Sequence, residues 1–398
     1  MLNERLQTFA SICTGAMLIS FYAAATDAQD AKSSSVPPLE IAREGWLYAG
    51  GHLSTSIADH PMIGQIYAEY QIPEHLKHPF PVVMIHGGSQ NGTNFTGTPD
   101  GREGWSQFFL REGYAVYVVD QAGRGRAAYS AQAYGPLRYP SVNFTQQRFT
   151  DPEAYNMWPQ AHLHTQWPGT GKPGDPTFDA FFASQEPSIA DFAEQQSLMQ
   201  SAGGALLDKI GPTILLVHSQ SGAFAWPIAQ ARPKLVRAIL AVEPSGPPVH
   251  DVIDTGPPGW FKDDPKVKIS GLGNIPLQYD PPLAPDEHLE FQLAAAAKGP
   301  DLAVCWSQKE PARKLVALDK IPLLIITSEA SYHAPYDDCT VAYLRQAGVH
   351  VDDIHLPDTG IHGNGHMMML EQNNLQIAAV MTQWLDKQNL QAPNPQKN

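Results

Sequence analysis

Cysteine is scarce in this chain: three residues in 398, at positions 13, 305 and 339. They form no CxxC pair and no metal-type Cys/His spacing, which excludes zinc-finger and thioredoxin-like motifs. Positive charge is also in short supply. Lys and Arg total 26 against 40 Asp and Glu, a formal net charge of −14. That deficit argues against a general nucleic-acid binder, which needs a basic face. It argues equally against attachment to anionic lipid through polybasic patches. No repeat with a period of roughly 20–50 residues runs along the chain. Beyond the N-terminal segment, no apolar run is long enough to cross a bilayer.

What is present is a large core and many turns. Hydrophobic residues make up 43% and charged residues 17%, which excludes wholesale disorder. The 32 Gly and 35 Pro follow no G-X-Y period and predict long, shaped loops. Residues 8–25 are mostly apolar or small, and Thr26-Asp27-Ala28-Gln29 follows with small residues suited to signal peptidase. We read 1–28 as a secretory signal peptide, with an uncleaved N-terminal anchor as the alternative, and 29–40 as a mobile leader. The mature chain is then secreted or periplasmic, without stable membrane insertion. Export also permits a disulfide. Cys305 and Cys339 either form one bridge or remain two buried thiols.

Two early runs, 45–50 and 62–70, read as an antiparallel pair. Six short apolar runs follow at 81–86, 114–120, 213–218, 236–243, 321–327 and 351–356. Runs of this kind form buried parallel strands. Helical patterns occupy 105–111, 189–210, 223–231, 337–348 and 371–388. Strands alternating with helices predict an α/β fold, with a mainly parallel central sheet and helices on both faces. Two segments break the alternation, at about 127–185 and 244–320. They hold Trp158, Trp167 and Trp260 and many prolines, but no core pattern of their own. We expect lid insertions on one domain spanning 41–390.

The strongest chemical signal is Val217-His218-Ser219-Gln220-Ser221-Gly222, between an apolar run and a helical pattern. A sharp strand-to-helix turn presents the hydroxyl of its central residue above the strand's carboxyl end. Ser219 sits directly at that end; a frame centred on Ser221, flanked by Ser219 and Ala223, competes with it. A second signal, His86-Gly87-Gly88, ends an earlier strand. A third, Gly360-Ile361-His362-Gly363-Asn364-Gly365-His366, lies between the last strand and the last helix. Its two histidines lie four apart, but no third metal ligand is visible and Gly-Asn-Gly between them breaks a helix.

These motifs resemble the α/β-hydrolase superfamily, in which a serine at such an elbow is the nucleophile. The resemblance implies that the N–H groups of Gly88 and Gln220 form an oxyanion hole. It also implies a base histidine after the last strand, where Gly365-His366 fits better than His362. The acid follows one of two strands, which makes Glu243 or Glu329 the candidate, with Asp337 and Asp338 farther off. The chain is similar to a small group of lid-bearing bacterial esterases. The shared segments are Pro99-Asp-Gly-Arg-Glu-Gly-Trp105, Asp120-Gln-Ala-Gly-Arg-Gly-Arg126, His218-Ser-Gln-Ser-Gly222, Val242-Glu-Pro244 and His362-Gly-Asn-Gly-His-Met-Met-Met369. In that group the acid is a Glu after the strand following the nucleophile's, which implies Glu243.

The implied function is a serine hydrolase that cleaves a carboxylic ester through a Ser219-His366-Glu243 triad and an acyl-enzyme. Its partner is a small-molecule ester, and the chemistry requires no metal and no organic cofactor. The same machinery would serve an amide, lactone, carbonate or polyester. An inactive ligand-binding relative is a further alternative. Activity is expected to fall below the base's ordinary pKa, about 6–7. Three smaller expectations remain. Arg124 and Arg126 hold a turn through paired charges, or bind an acidic substrate. Trp158, Trp167 and Trp260 pack a lid, or line an apolar pocket. Tyr332 and His333 approach the mouth of the site.

Overall fold

The computed structural model describes residues 37–390. The expected signal peptide and most of the leader lie outside these residues. The antiparallel pair comes first, as β1 (Ile41–Leu53) and β2 (Met62–Pro73). Six short strands follow: β3 (Val82–Ile85), β4 (Val116–Asp120), β5 (Thr213–His218), β6 (Val236–Val242), β7 (Leu323–Thr327) and β8 (Val351–His355). They form one sheet in the order β1-β2-β4-β3-β5-β6-β7-β8. β2 pairs antiparallel with β1 and with β4, and every later pairing is parallel.

The apolar runs become central strands because both of their faces are covered. Every residue of β3, β5 and β7 is buried. Alternate side chains feed two cores, as the two-residue strand period requires. Val83, Leu215, Val217, Ile239 and Ile325 pack with α2 (Phe192–Ile210), α3 (Gly222–Ala231) and α4 (Asp337–Gln346). Val82, Met84, Leu216, Leu240 and Ile326 pack with α1 (Trp105–Arg111) and α5 (Asn374–Lys387). Two helix starts fall later than the pattern predicts, each for a local reason. Asp191 caps α2 by accepting from the Ala193 and Glu194 N–H groups, which leaves Ile189 in a short strand. Glu371 turns inward to bind His164 and Asn364, so α5 opens three residues beyond it.

Parallel strands share a direction, so β3, β5, β6 and β7 deliver their next residues to one rim of the sheet. His86, Ser219, Glu243 and Ser328 are those residues. The 127–185 segment adds short helices to this fold. The 244–320 segment adds two antiparallel pairs, His250–Gly256 with Trp260–Val267 and Phe291–Leu293 with Trp306–Gln308. Arg148 Nη2 lies 2.8 Å from Asp254 Oδ2 and ties the two segments together. A Cys305–Cys339 disulfide joins the second segment to α4, and neither cysteine is free. Trp158 and Trp167 are packing residues: the Trp158 Nε1–H donates to Ala330 O at 3.0 Å, and Trp167 meets Phe181 edge-on. No helix among the described residues is long and apolar enough to cross a membrane.

Candidate active site

The turn after β5 separates the two candidate serines. Ser219 has φ +54°, in the left-handed region that a side chain occupies at a cost of about 1–3 kcal/mol. It lines a cavity of about 480 Å³. Ser221 is fully buried, and its hydroxyl is spent on the backbone. It lies 2.6 Å from Ile85 O and 2.9 Å from His218 O, and accepts from the His218 N–H at 2.8 Å. Gly222 then opens α3. A Cβ there would collide with Pro244, so a glycine lets the elbow press against the residue that follows Glu243.

His366 Nδ1 lies 2.5 Å from Glu243 Oε2. Three further donors hold the Glu243 carboxylate: the Ser328 N–H at 2.9 Å, the Ser328 hydroxyl at 2.6 Å and the Ser331 hydroxyl at 2.7 Å. Burial pushes the Glu243 carboxyl up, while nearby His333 and the seryl donors pull it down. The His366 ring lies between Phe149 (centroids 5.6 Å apart) and His333 (4.7 Å), both nearly parallel to it. That burial drives its pKa well below 6.5, reinforced by His333 and Arg148, so the imidazole is neutral at neutral pH. The His366 backbone is anchored by the residue before Ser219: His218 Nε2 lies 3.0 Å from His366 O.

Two of the alternatives pair with each other. His362 Nδ1 is 3.0 Å from Glu329 Oε1, and the His362 side chain is 61% exposed. Asp337 faces His333 Nδ1 at 2.8 Å, and Asp338 faces His355.

One expected contact is not formed. The second ring nitrogen of His366, Nε2, faces the Tyr332 hydroxyl at 3.2 Å, and no hydrogen bond joins it to Ser219 among the described residues. Tyr332 and His333 both line the Ser219 cavity. Burial raises the Tyr332 phenol above its ordinary value, so the hydroxyl keeps its proton.

Gly88 and Gln220 share the cavity wall with Ser219. Neither N–H donates to a loop-backbone or side-chain acceptor among the described residues. Behind them lies Arg124, for which the sequence offers a charge-paired turn or an acidic-substrate contact. Its guanidinium is buried and pairs with no carboxylate among the described residues. Nη1 donates to Gly87 O at 2.8 Å, and Nη2 donates to Gln220 Oε1 at 2.8 Å. The Gly87 carbonyl and the Gly88 N–H belong to one planar peptide, so holding the first aims the second. Desolvation lowers Arg124 to about 9, still charged at neutral pH. Arg126 is the one that takes the charge-paired role, with Asp120 at 2.7 Å.

Other supporting residues escaped the sequence reading. Ser328 and Ser331 hold Glu243, and Glu371 accepts from Asn364 and Gly365 to fix the loop that carries His366. A carboxylate closing the apolar run Met367-Met368-Met369-Leu370 was the available signal for Glu371. Glu243, His333 and His366 also place potential metal-ligating atoms within 4.8 Å of one another. At 2.5 Å, however, His366 Nδ1 and Glu243 Oε2 are in direct hydrogen-bond contact, with no room for an ion between them.

A doubly covered parallel sheet with a serine elbow and a His–Glu pair at its carboxyl rim defines a class. The α/β hydrolase family profile matches residues 82–380, and the chain belongs to that family. It is 44% identical over 332 residues to a protein named "Probable secreted lipase phiG" from Fungal sp. (strain ATCC 74256), across 81% of this chain and 86% of that one. It is also similar to the solved structure of a novel bacterial esterase. The TM-score is 0.59 with 24% identity, over 89% of this chain and 98% of that one. That second likeness is one of fold.

Proposed function

We propose that this chain is an exported carboxylic ester hydrolase that works through Ser219, His366 and Glu243. The observation that carries the reading is the 2.5 Å contact between His366 Nδ1 and Glu243 Oε2, at the rim where Ser219 projects from a left-handed turn. The relative named a secreted lipase supports the activity and the export. In this reading Ser219 Oγ attacks the ester carbonyl, and His366 Nε2 takes its proton as the Tyr332 hydroxyl gives up that nitrogen. Glu243 fixes the ring with Nδ1–H facing it and stabilises the imidazolium. The Gly88 and Gln220 N–H groups receive the oxyanion; removing such a donor typically costs about a hundred- to a thousand-fold in rate. His366 then protonates the departing alkoxide. Water, deprotonated by the same imidazole, releases the acid from the acyl-enzyme.

A fluorophosphonate probe and a panel of aryl esters, alkyl esters, lactones and amides test this. The expected results are a single adduct at Ser219, loss of hydrolysis in Ser219→Ala, and a rate loss of about a thousand-fold or more in Glu243→Gln. Glu329→Gln is expected to stay within a few-fold of wild type. Full ester cleavage by folded Ser219→Ala overturns the proposal.

A further inference from the structure

The cavity over Ser219 runs against the charge of the protein. The chain carries a net −14, yet four cationic side chains, Arg138, Arg148, Lys266 and Lys268, line this cavity against a single carboxylate, Asp251. Lys268 and Asp251 pair at 2.6 Å. Arg148 is balanced by Asp254 at 2.8 Å, but neither Asp254 oxygen accepts an aligned hydrogen bond. Arg138 and Lys266 have no carboxylate in ion-pair reach among the described residues. One of the four cations also reaches the reacting centre. The Arg148 guanidinium lies 4.3 Å from the centroid of the Tyr332 ring, whose hydroxyl touches His366 Nε2.

From this arrangement we infer that the substrate is an ester that also bears a free carboxylate, held by these cations while Ser219 attacks its ester carbonyl. The inference rests on the ester-hydrolase reading above and specifies its substrate class. A neutral glyceride or alkyl ester draws no attraction from the uncompensated cations and takes water from them as it fills the cavity. A carboxylate is drawn in by the local field and pairs with guanidinium and ammonium groups on arrival. Phe144, Phe149 and Phe192, in the same wall, give the carbon chain an apolar surface.

The test compares mono-p-nitrophenyl adipate with p-nitrophenyl hexanoate, which have the same carbon count but only one of which carries the acid. Background is subtracted with Ser219→Ala. At about 20 mM salt, kcat/KM for the adipate half-ester is expected to exceed that for the hexanoate by roughly tenfold or more. The ratio is expected to shrink at about 0.5 M salt, where exposed charges are screened. It is also expected to shrink in the Arg138→Gln/Lys266→Gln double variant, whose two sites are exposed. Equal or faster Ser219-dependent cleavage of the hexanoate overturns this inference and leaves the ester reading intact. So does a preference that survives both salt and the double variant. If Ser219→Ala cleaves both esters at the wild-type rate, the ester reading falls and takes this inference with it.

Discussion

Tyr332 Oη lies 3.2 Å from His366 Nε2, the nitrogen that a base must offer to the Ser219 hydroxyl. The phenol keeps its proton because burial raises its pKa; with His366 Nδ1–H turned to Glu243, as the proposed triad requires, that O–H meets the lone pair that proton transfer needs. Tyr332→Phe removes a hydrogen bond of about 1 kcal/mol. Fluorophosphonate labelling of Ser219 is expected to become about fivefold faster in that variant. Slower labelling would make the hydroxyl an aid to the base instead of a competitor.

Arg124 holds both sides of the proposed oxyanion hole, through Gly87 O and the Gln220 side chain. In Arg124→Met, kcat is expected to fall by roughly tenfold or more, with a much smaller change in KM. Arg124→Lys is expected to recover part of the loss, since one ammonium cannot reach both acceptors in the same geometry. A loss that vanishes once rates are normalised to the folded fraction would assign Arg124 to stability alone.

Ser221 is the elbow's structural serine. Ser221→Ala abandons the His218 N–H and two backbone carbonyls and is expected to cost about 1–3 kcal/mol. Thermal unfolding measures this as a lower Tm. The folded protein is expected to still label at Ser219.

The pH profile follows from the direction of the His366 shift. Burial, His333 and Arg148 disfavour its protonated form. A base must be neutral to accept the serine proton, so activity is lost only when pH falls through the lowered pKa. kcat/KM is expected to stay level through pH 6.5 and to decline at more acidic values. An acidic limb centred at or above 6.5 would contradict the burial argument.

The Cys305–Cys339 bridge closes a separation of 34 residues and ties a wall-forming segment to α4. Loop-closure entropy puts its worth at about 3–4 kcal/mol. Cys305→Ser is expected to lower Tm and to abolish the effect of added reductant on Tm.

The order of strands and helices was legible because both-face burial leaves continuous apolar runs. The runs at 213–218 and 236–243 became β5 and β6 with at most one residue's difference. The candidate site was legible only in part, and only where a motif sits at the end of such a run. His-Ser-Gln-Ser-Gly follows β5 and Val-Glu-Pro ends β6, so Ser219 and Glu243 could be named. Tyr332 and His333 were placed near the mouth, without partners. Arg124 was read as a turn residue, because Gly-Arg-Gly-Arg does not reveal that the first guanidinium turns inward to a carbonyl 37 residues away and the second turns outward to Asp120. Ser328 and Ser331 gave no signal, since a seryl hydroxyl acquires meaning only from the carboxylate it meets.

By itself the sequence determined the alternation of strand and helix, the excess of negative charge and the candidates for the reactive side chains, because hydrophobic period and side-chain chemistry are local properties. Tertiary structure decided what those side chains face. Parallel strand direction brings Ser219 and Glu243 to one rim, although nothing in their spacing requires it. Packing against Phe149 and His333 keeps His366 neutral. The two segments that break the strand–helix alternation gather four cations over the serine in a chain that is acidic overall. Contacts between residues from about two dozen to more than two hundred positions apart set those outcomes, and such contacts exist only once the sheet has formed.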